Sequence, residues 1–216
     1  MVLFLFCAFP LLLIIASSAS SNIFRFRAWV IGLLAGIIAC TARALFMFQP
    51  RDIPAGFLPQ FLRSYCELAA AVSILLMFFF IIIRGDAREK ARAFIFVMLA
   101  YFAVMVPYRV ISGVYAPGFF EYNIVPLIYA AMSVGCAVSA AWFQAALSKK
   151  TQAPFLVRVV VFLVSVGVFL LSVAFPCAAE TSRMAGGGEY MMITPVSLVF
   201  SVILLCLFPR RKESPR

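Results

Sequence analysis

The sequence predicts an all-α polytopic membrane protein, a bundle of seven transmembrane helices with its N-terminus outside and its C-terminus in the cytoplasm. Three observations carry this. Apolar residues make up 65% of the chain and the mean hydropathy is +1.09, far above the roughly 45–50% apolar content of soluble domains. Seven apolar stretches approach the ~20 residues that a helix needs to cross a hydrocarbon core ~30 Å thick. Lys and Arg crowd into every second connector between those stretches, as expected of residues that resist transfer and collect on the cytoplasmic side. The runs are long and do not alternate, and backbone groups must be paired within lipid, so they are read as helices rather than barrel strands.

The first stretch, Val2–Ala19, resembles the apolar region of a signal peptide and ends in the small residues Ala16-Ser17-Ser18-Ala19-Ser20. No basic residue precedes it, and Arg25 and Arg27 follow it, so it is expected to be a retained helix with its N-terminus outside. The second, Ala28–Phe48, carries Gly32, Gly36 and Cys40 at a spacing of four, a small-residue stripe that lets another helix approach closely. Arg43 lies seven residues beyond Gly36, so at ~100° per residue it returns to within about 20° of the stripe. It is expected to point into the bundle, with snorkelling to the outer headgroups or a purely structural ion pair as the competing reading.

The third stretch, Cys66–Ile83, starts next to Glu67, four residues after Arg63. The fourth, Ala93–Tyr115, contains Pro107, which removes an intrahelical hydrogen bond and tends to kink a helix. Beside it stands Arg109, at the margin of a face formed by Tyr101, Met105, Tyr108 and Ser112. The fifth, Ile124–Leu147, bears a second small-residue stripe of Ala131, Gly135 and Ser139 and is alanine-rich enough to be the central helix. The sixth is Phe155–Phe175. The seventh, Met191–Phe208, has a hydroxyl face of Thr194, Ser197 and Ser201. Residues 1–208 thus read as one transmembrane domain and 209–216 as a short basic tail.

With seven spans, one side collects Arg25, Arg27, Arg84, Arg88, Lys90, Arg92, Lys149, Lys150, Arg158, Arg210, Arg211, Lys212 and Arg216, thirteen of the 18 basic residues. That side is assigned to the cytoplasm. Trp29 and Trp142 fall near it as interfacial anchors, and Arg51, Arg63 and Arg183 are placed outside. The net charge of +10 follows from the same bias and suits anionic lipid headgroups, without calling for nucleic acid. A bacterial cytoplasmic membrane is the expected location.

The residue inventory narrows the chemistry. There is no histidine, which removes Ser–His proteases, His-ligated haem and the usual catalytic zinc sites. Asp52 and Asp86 are assigned to opposite sides and cannot pair. All four lysines are assigned to cytoplasmic connectors, so the last span offers no amine for a retinal Schiff base. The six cysteines form no C-x-x-C pair. Cys66 and Cys177 both fall near the outer face, where two small buried residues are favoured over a disulfide. Neither a cofactor, a metal site nor an enzyme activity is expected.

The positive signals are charges within or beside apolar spans, which are costly there and tend to face a cavity or a partner helix. Arg43, Arg63, Arg109, Glu67 and Glu121 all fall at the outer end, and with Tyr101 and Tyr108 they predict a polar vestibule. The candidate ligand-binding residues are therefore Arg43, Arg109, Glu67, Tyr101 and Tyr108. No acid is placed at mid-membrane, so proton coupling through a buried carboxylate is not expected. These features point first to a small permease, carrier or binding protein for an anionic or amphiphilic solute. The alternatives are a seven-helix membrane sensor, or a non-catalytic subunit or assembly factor with a membrane or cytoplasmic protein partner.

Overall fold

The computed structural model describes residues 23–46, 56–82, 87–111, 124–147, 154–186 and 188–207. The first apolar stretch, Glu121 and the basic tail lie outside the described residues. Those described form six helices: α1 (Ile23–Phe46), α2 (Phe57–Ile82), α3 (Ala87–Ile111), α4 (Val125–Leu147), α5 (Phe155–Met184) and α6 (Tyr190–Leu207). Five of them, all but α3, are long and apolar enough to cross a membrane. The apolar part of α3 is the shorter segment Ala93–Arg109, preceded within the helix by Lys90, which is buried.

The helices pack through the two small-residue stripes. Gly32 of α1 lies on Val97 and Ala100 of α3, Gly36 lies on Tyr101 and Val104, and the Cys40 thiol meets the Met105 sulfur at 3.3 Å. Numbers rise together along both helices, so α1 and α3 run parallel. Gly135 of α4 lies against Ser172 of α5, and Ser139 donates to the Ser165 carbonyl at 2.8 Å. There the numbers oppose each other, so α4 and α5 are antiparallel. Ser201 of α6 donates to the Ala131 carbonyl at 2.9 Å, using a hydroxyl to tie two helices where little water is available.

The central helix is α4, in contact with α3, α5 and α6 and buried over 72% of its apolar window, against 17–22% for the other four long helices. Its alanines, glycine and serines allow that crowding. Phe79, Phe94, Met98, Ile128 and Met132 fill the core between α2, α3 and α4. The outward faces are apolar as well: Ile38 and Leu45 on α1, Met77 on α2, Leu163 on α5 and Val199 on α6 are all exposed. Apolar residues inside and outside together are the pattern of a helical membrane bundle.

Hydroxyls within the helices bond to their own backbone one turn earlier. Ser172 donates to the Val168 carbonyl, Thr181 to Cys177 and Thr194 to Tyr190, which satisfies them without water. At the far end of α4 the Arg158 Nε donates to the Ala146 carbonyl at 2.9 Å, placing a cation on a helix C-terminus whose last carbonyls lack partners.

Candidate functional site

Because the helices alternate in direction, the C-terminal ends of α1, α3 and α5 and the N-terminal ends of α2, α4 and α6 gather at one end of the bundle. Three ion pairs lie there. Arg43 near the end of α1 reaches Glu67 of α2, Nη2 to Oε2, at 3.2 Å, and Arg63 reaches the other carboxylate oxygen of Glu67, also at 3.2 Å. The side chains of Arg43 and Glu67 keep about a quarter of their surface accessible, 24% and 25%. A pair so exposed adds only about 0–1 kcal/mol.

The second constellation is far more enclosed. Arg109 of α3 donates from Nη1 to both oxygens of Glu180 on α5, at 3.2 and 3.0 Å, and to the Tyr129 hydroxyl of α4 at 3.1 Å. Tyr129 in turn donates to Glu180 Oε1. The side chains of Arg109 and Glu180 are 11% and 7% exposed. Three helices therefore converge on a buried cation, a buried carboxylate and a phenol that accepts from the first and donates to the second.

Glu180 was not among the expected site residues, because the apolar run stops at Phe175 and the segment Cys177–Tyr190 reads as a connector. The helix instead continues through Pro176 to Met184. Proline is tolerated inside such a helix because neighbouring helices and hydroxyl side chains re-satisfy the backbone. One signal pointed there: Ser165, Val168, Ser172 and Pro176 recur at three and four residues, and the same buried stripe extended past the proline arrives at Glu180. Glu180 is thus a buried carboxylate near the charged end of the bundle, where the sequence reads as a connector.

The remaining expected residues separate into roles. Tyr101 is buried and packs edge-on against Phe102, whose ring lies 4.3 Å from that of Tyr129. Tyr101 thus belongs to the seam between α1 and α3 and backs the site at one remove. The Tyr108 hydroxyl is buried with no hydrogen-bond partner among the described residues. Arg43 and Arg109 thus grip different acids at the same end of the bundle. Cys66 and Cys177 are free thiols, the first exposed and the second buried.

Between α5 and α6 the chain turns at Gly186, whose φ of 77° is one that glycine adopts without strain. Ser182 closes this turn by donating to Glu189 at 2.7 Å. That bond, helped by a backbone hydrogen bond, holds the Glu189 carboxyl below its ordinary value. The turn's contribution to stability is accordingly present above the usual glutamate range and lost as pH falls through the folded-state value. Ser182→Ala is expected to raise the Glu189 titration midpoint toward the ordinary value, which a carboxyl-carbon NMR titration reads directly.

The class that the fold and its charged end define is an all-helical, membrane-type bundle with an enclosed Arg–Tyr–Glu triad near one end. No family model, curated protein or solved structure matches this chain.

Proposed function

We propose that this protein is a small multi-pass membrane carrier or binding protein for an anionic or amphiphilic solute, with Arg109 as the cation that receives it. The observation that carries the reading is the enclosed triad of Arg109, Glu180 and Tyr129, joining three helices. An arginine almost shut off from water and bridged by an internal carboxylate is a preformed anion subsite, since charge-assisted bonds to a guanidinium strengthen as water is excluded. Glu180 occupies it until a competing anion arrives. Arg43 and Glu67, at the same end and more exposed, form the entrance to it.

In this reading the basic residues set the topology: seven spans including Val2–Ala19, the triad at the outward end and the C-terminus in the cytoplasm. The setting is a bacterial cytoplasmic membrane. A second reading, a structural subunit of a membrane complex, draws on the small-residue seams alone.

Thermal unfolding of the detergent-purified protein separates the two, because a ligand that binds only the folded state raises the melting temperature, by about 2.7 kcal/mol of stability at a hundred times Kd. Chloride, methanesulfonate, benzenesulfonate and anionic lipids are the probes. Stabilisation of the wild type that persists in Arg43→Gln but disappears in Arg109→Gln supports the anion site. Absence of stabilisation by all of them moves the assignment to a structural subunit.

A further inference from the structure

We infer that the site takes up its anion together with a proton, which Glu180 accepts from water, so that a monovalent anion binds as an anion–proton pair; this rests on the anion-carrier reading. In the structure Arg109 and Glu180 cancel each other's charge where 11% and 7% of their side chains remain accessible. A second anion on Arg109 without any other change would place two negative charges around one positive charge in a poorly hydrated site. A buried charge left without a partner is costly enough that such a group neutralises instead. The proton balance is simple. Before binding there are Arg109 as guanidinium, Glu180 as carboxylate, and a free anion and proton; afterwards the anion faces the guanidinium and Glu180 is a neutral carboxylic acid. One O–H bond forms on Glu180 as one breaks in the hydronium ion that delivers the proton, which leaves as water.

Tyr129 is placed to serve both states. It now accepts from Arg109 Nη1 and donates to Glu180 Oε1. Once Glu180 is protonated, the carboxylic O–H donates to the phenol oxygen and the phenol hydrogen turns to the anion, because a hydroxyl both donates and accepts. The release of Glu180 and the reception of the anion are thus one rearrangement of the same hydrogen bonds.

The other titratable groups around Glu180 are already engaged or uncharged. On α2, Glu67 is held by Arg43 and Arg63, beside the thiol of Cys66. At the start of α6, Glu189 is held by Ser182, next to the phenol Tyr190. On α5 itself, Cys177 lies one turn before Glu180, and Arg183 follows it by three residues at the half-buried end of the helix. The carboxylate that directly faces Arg109 is Glu180, so the proton is assigned to it.

Isothermal titration of the purified full chain with chloride, methanesulfonate and benzenesulfonate tests this, since all three stay ionised between about pH 5 and pH 8 and any proton taken up belongs to the protein. Repeating the titration in buffers of different ionisation enthalpy counts protons. The expected result is about one proton taken up per anion bound, with affinity falling as pH rises. Glu180→Gln is expected to bind with no proton uptake and no dependence on pH. Binding that needs Arg109 but carries no proton in the wild type overturns this inference alone, as does unchanged uptake in Glu180→Gln. Failure of all three anions to bind overturns it together with the carrier reading. If Glu180→Gln does not fold, the wild-type proton count decides.

Discussion

Glu180→Ala is expected to cost about 3–5 kcal/mol of stability, the largest loss of any single side chain at this end of the bundle, and Arg109→Ala a similar amount. Each change leaves the opposite charge enclosed without its partner, and that stranded charge, rather than the lost attraction, is the main term. The exposures of 11% and 7% leave little room for water to compensate. The diagnostic is the double variant. Arg109→Leu with Glu180→Leu removes both charges and is expected to recover most of the loss, because apolar replacements of a buried ion pair are often neutral or stabilising. Unfolding of the wild type, Arg109→Leu, Glu180→Leu and the double leucine variant in one detergent closes the cycle, and a coupling near zero would show that the two residues do not share a dry site. The same cycle run on Arg43 and Glu67, with about a quarter of each side chain exposed, is expected to give at most about 1 kcal/mol.

The second large effect is at Gly32. A Cβ there would sit 2.3 Å from the Val97 carbonyl oxygen and 2.8 Å from the Ala100 Cβ. The obstacle is backbone of α3, which no side-chain rotation relieves, so Gly32→Ala forces α1 away and opens the seam that Gly36 and the Cys40–Met105 contact continue. The expected cost is about 1–3 kcal/mol from overpacking, rising with Gly32→Val. Gly167 on α5 is the control, since nothing lies within 4 Å of an added Cβ. Gly167→Ala is expected to be neutral or to gain about 0.5–1 kcal/mol from reduced backbone entropy. Equal melting temperatures for the two alanine variants would contradict the close packing of α1 on α3.

Much of the packing is legible in the sequence. The stripes Gly32-Gly36-Cys40 and Ala131-Gly135-Ser139 announced two close seams, and both occur, because a four-residue spacing of small side chains has few uses other than helix approach. Glu67 stands at the i,i+4 spacing from Arg63 that favours an ion pair, and Arg43 falls at the same end of the bundle, but that Arg43 grips Glu67 is a finding of the structure. The triad was only half legible. Arg109 stood out as a charge inside an apolar run, but Tyr129 is an ordinary residue near the start of α4, and Glu180 sits behind Pro176 in a segment whose polarity resembles a connector. Hydropathy reports where a helix is apolar, not where its backbone stops, and α5 continues into polar sequence because its inner face still has α4 to pack against.

The most direct test of the account is the affinity of the purified protein for benzenesulfonate, measured side by side for wild type, Glu180→Gln and Arg109→Gln at one pH. If Glu180 competes with the incoming anion for Arg109, Glu180→Gln binds about tenfold more tightly or better, a gain of about 1.4 kcal/mol, and Arg109→Gln loses binding. Affinity unchanged in Glu180→Gln, or retained in Arg109→Gln, would contradict the assignment of Arg109 as the anion's cation.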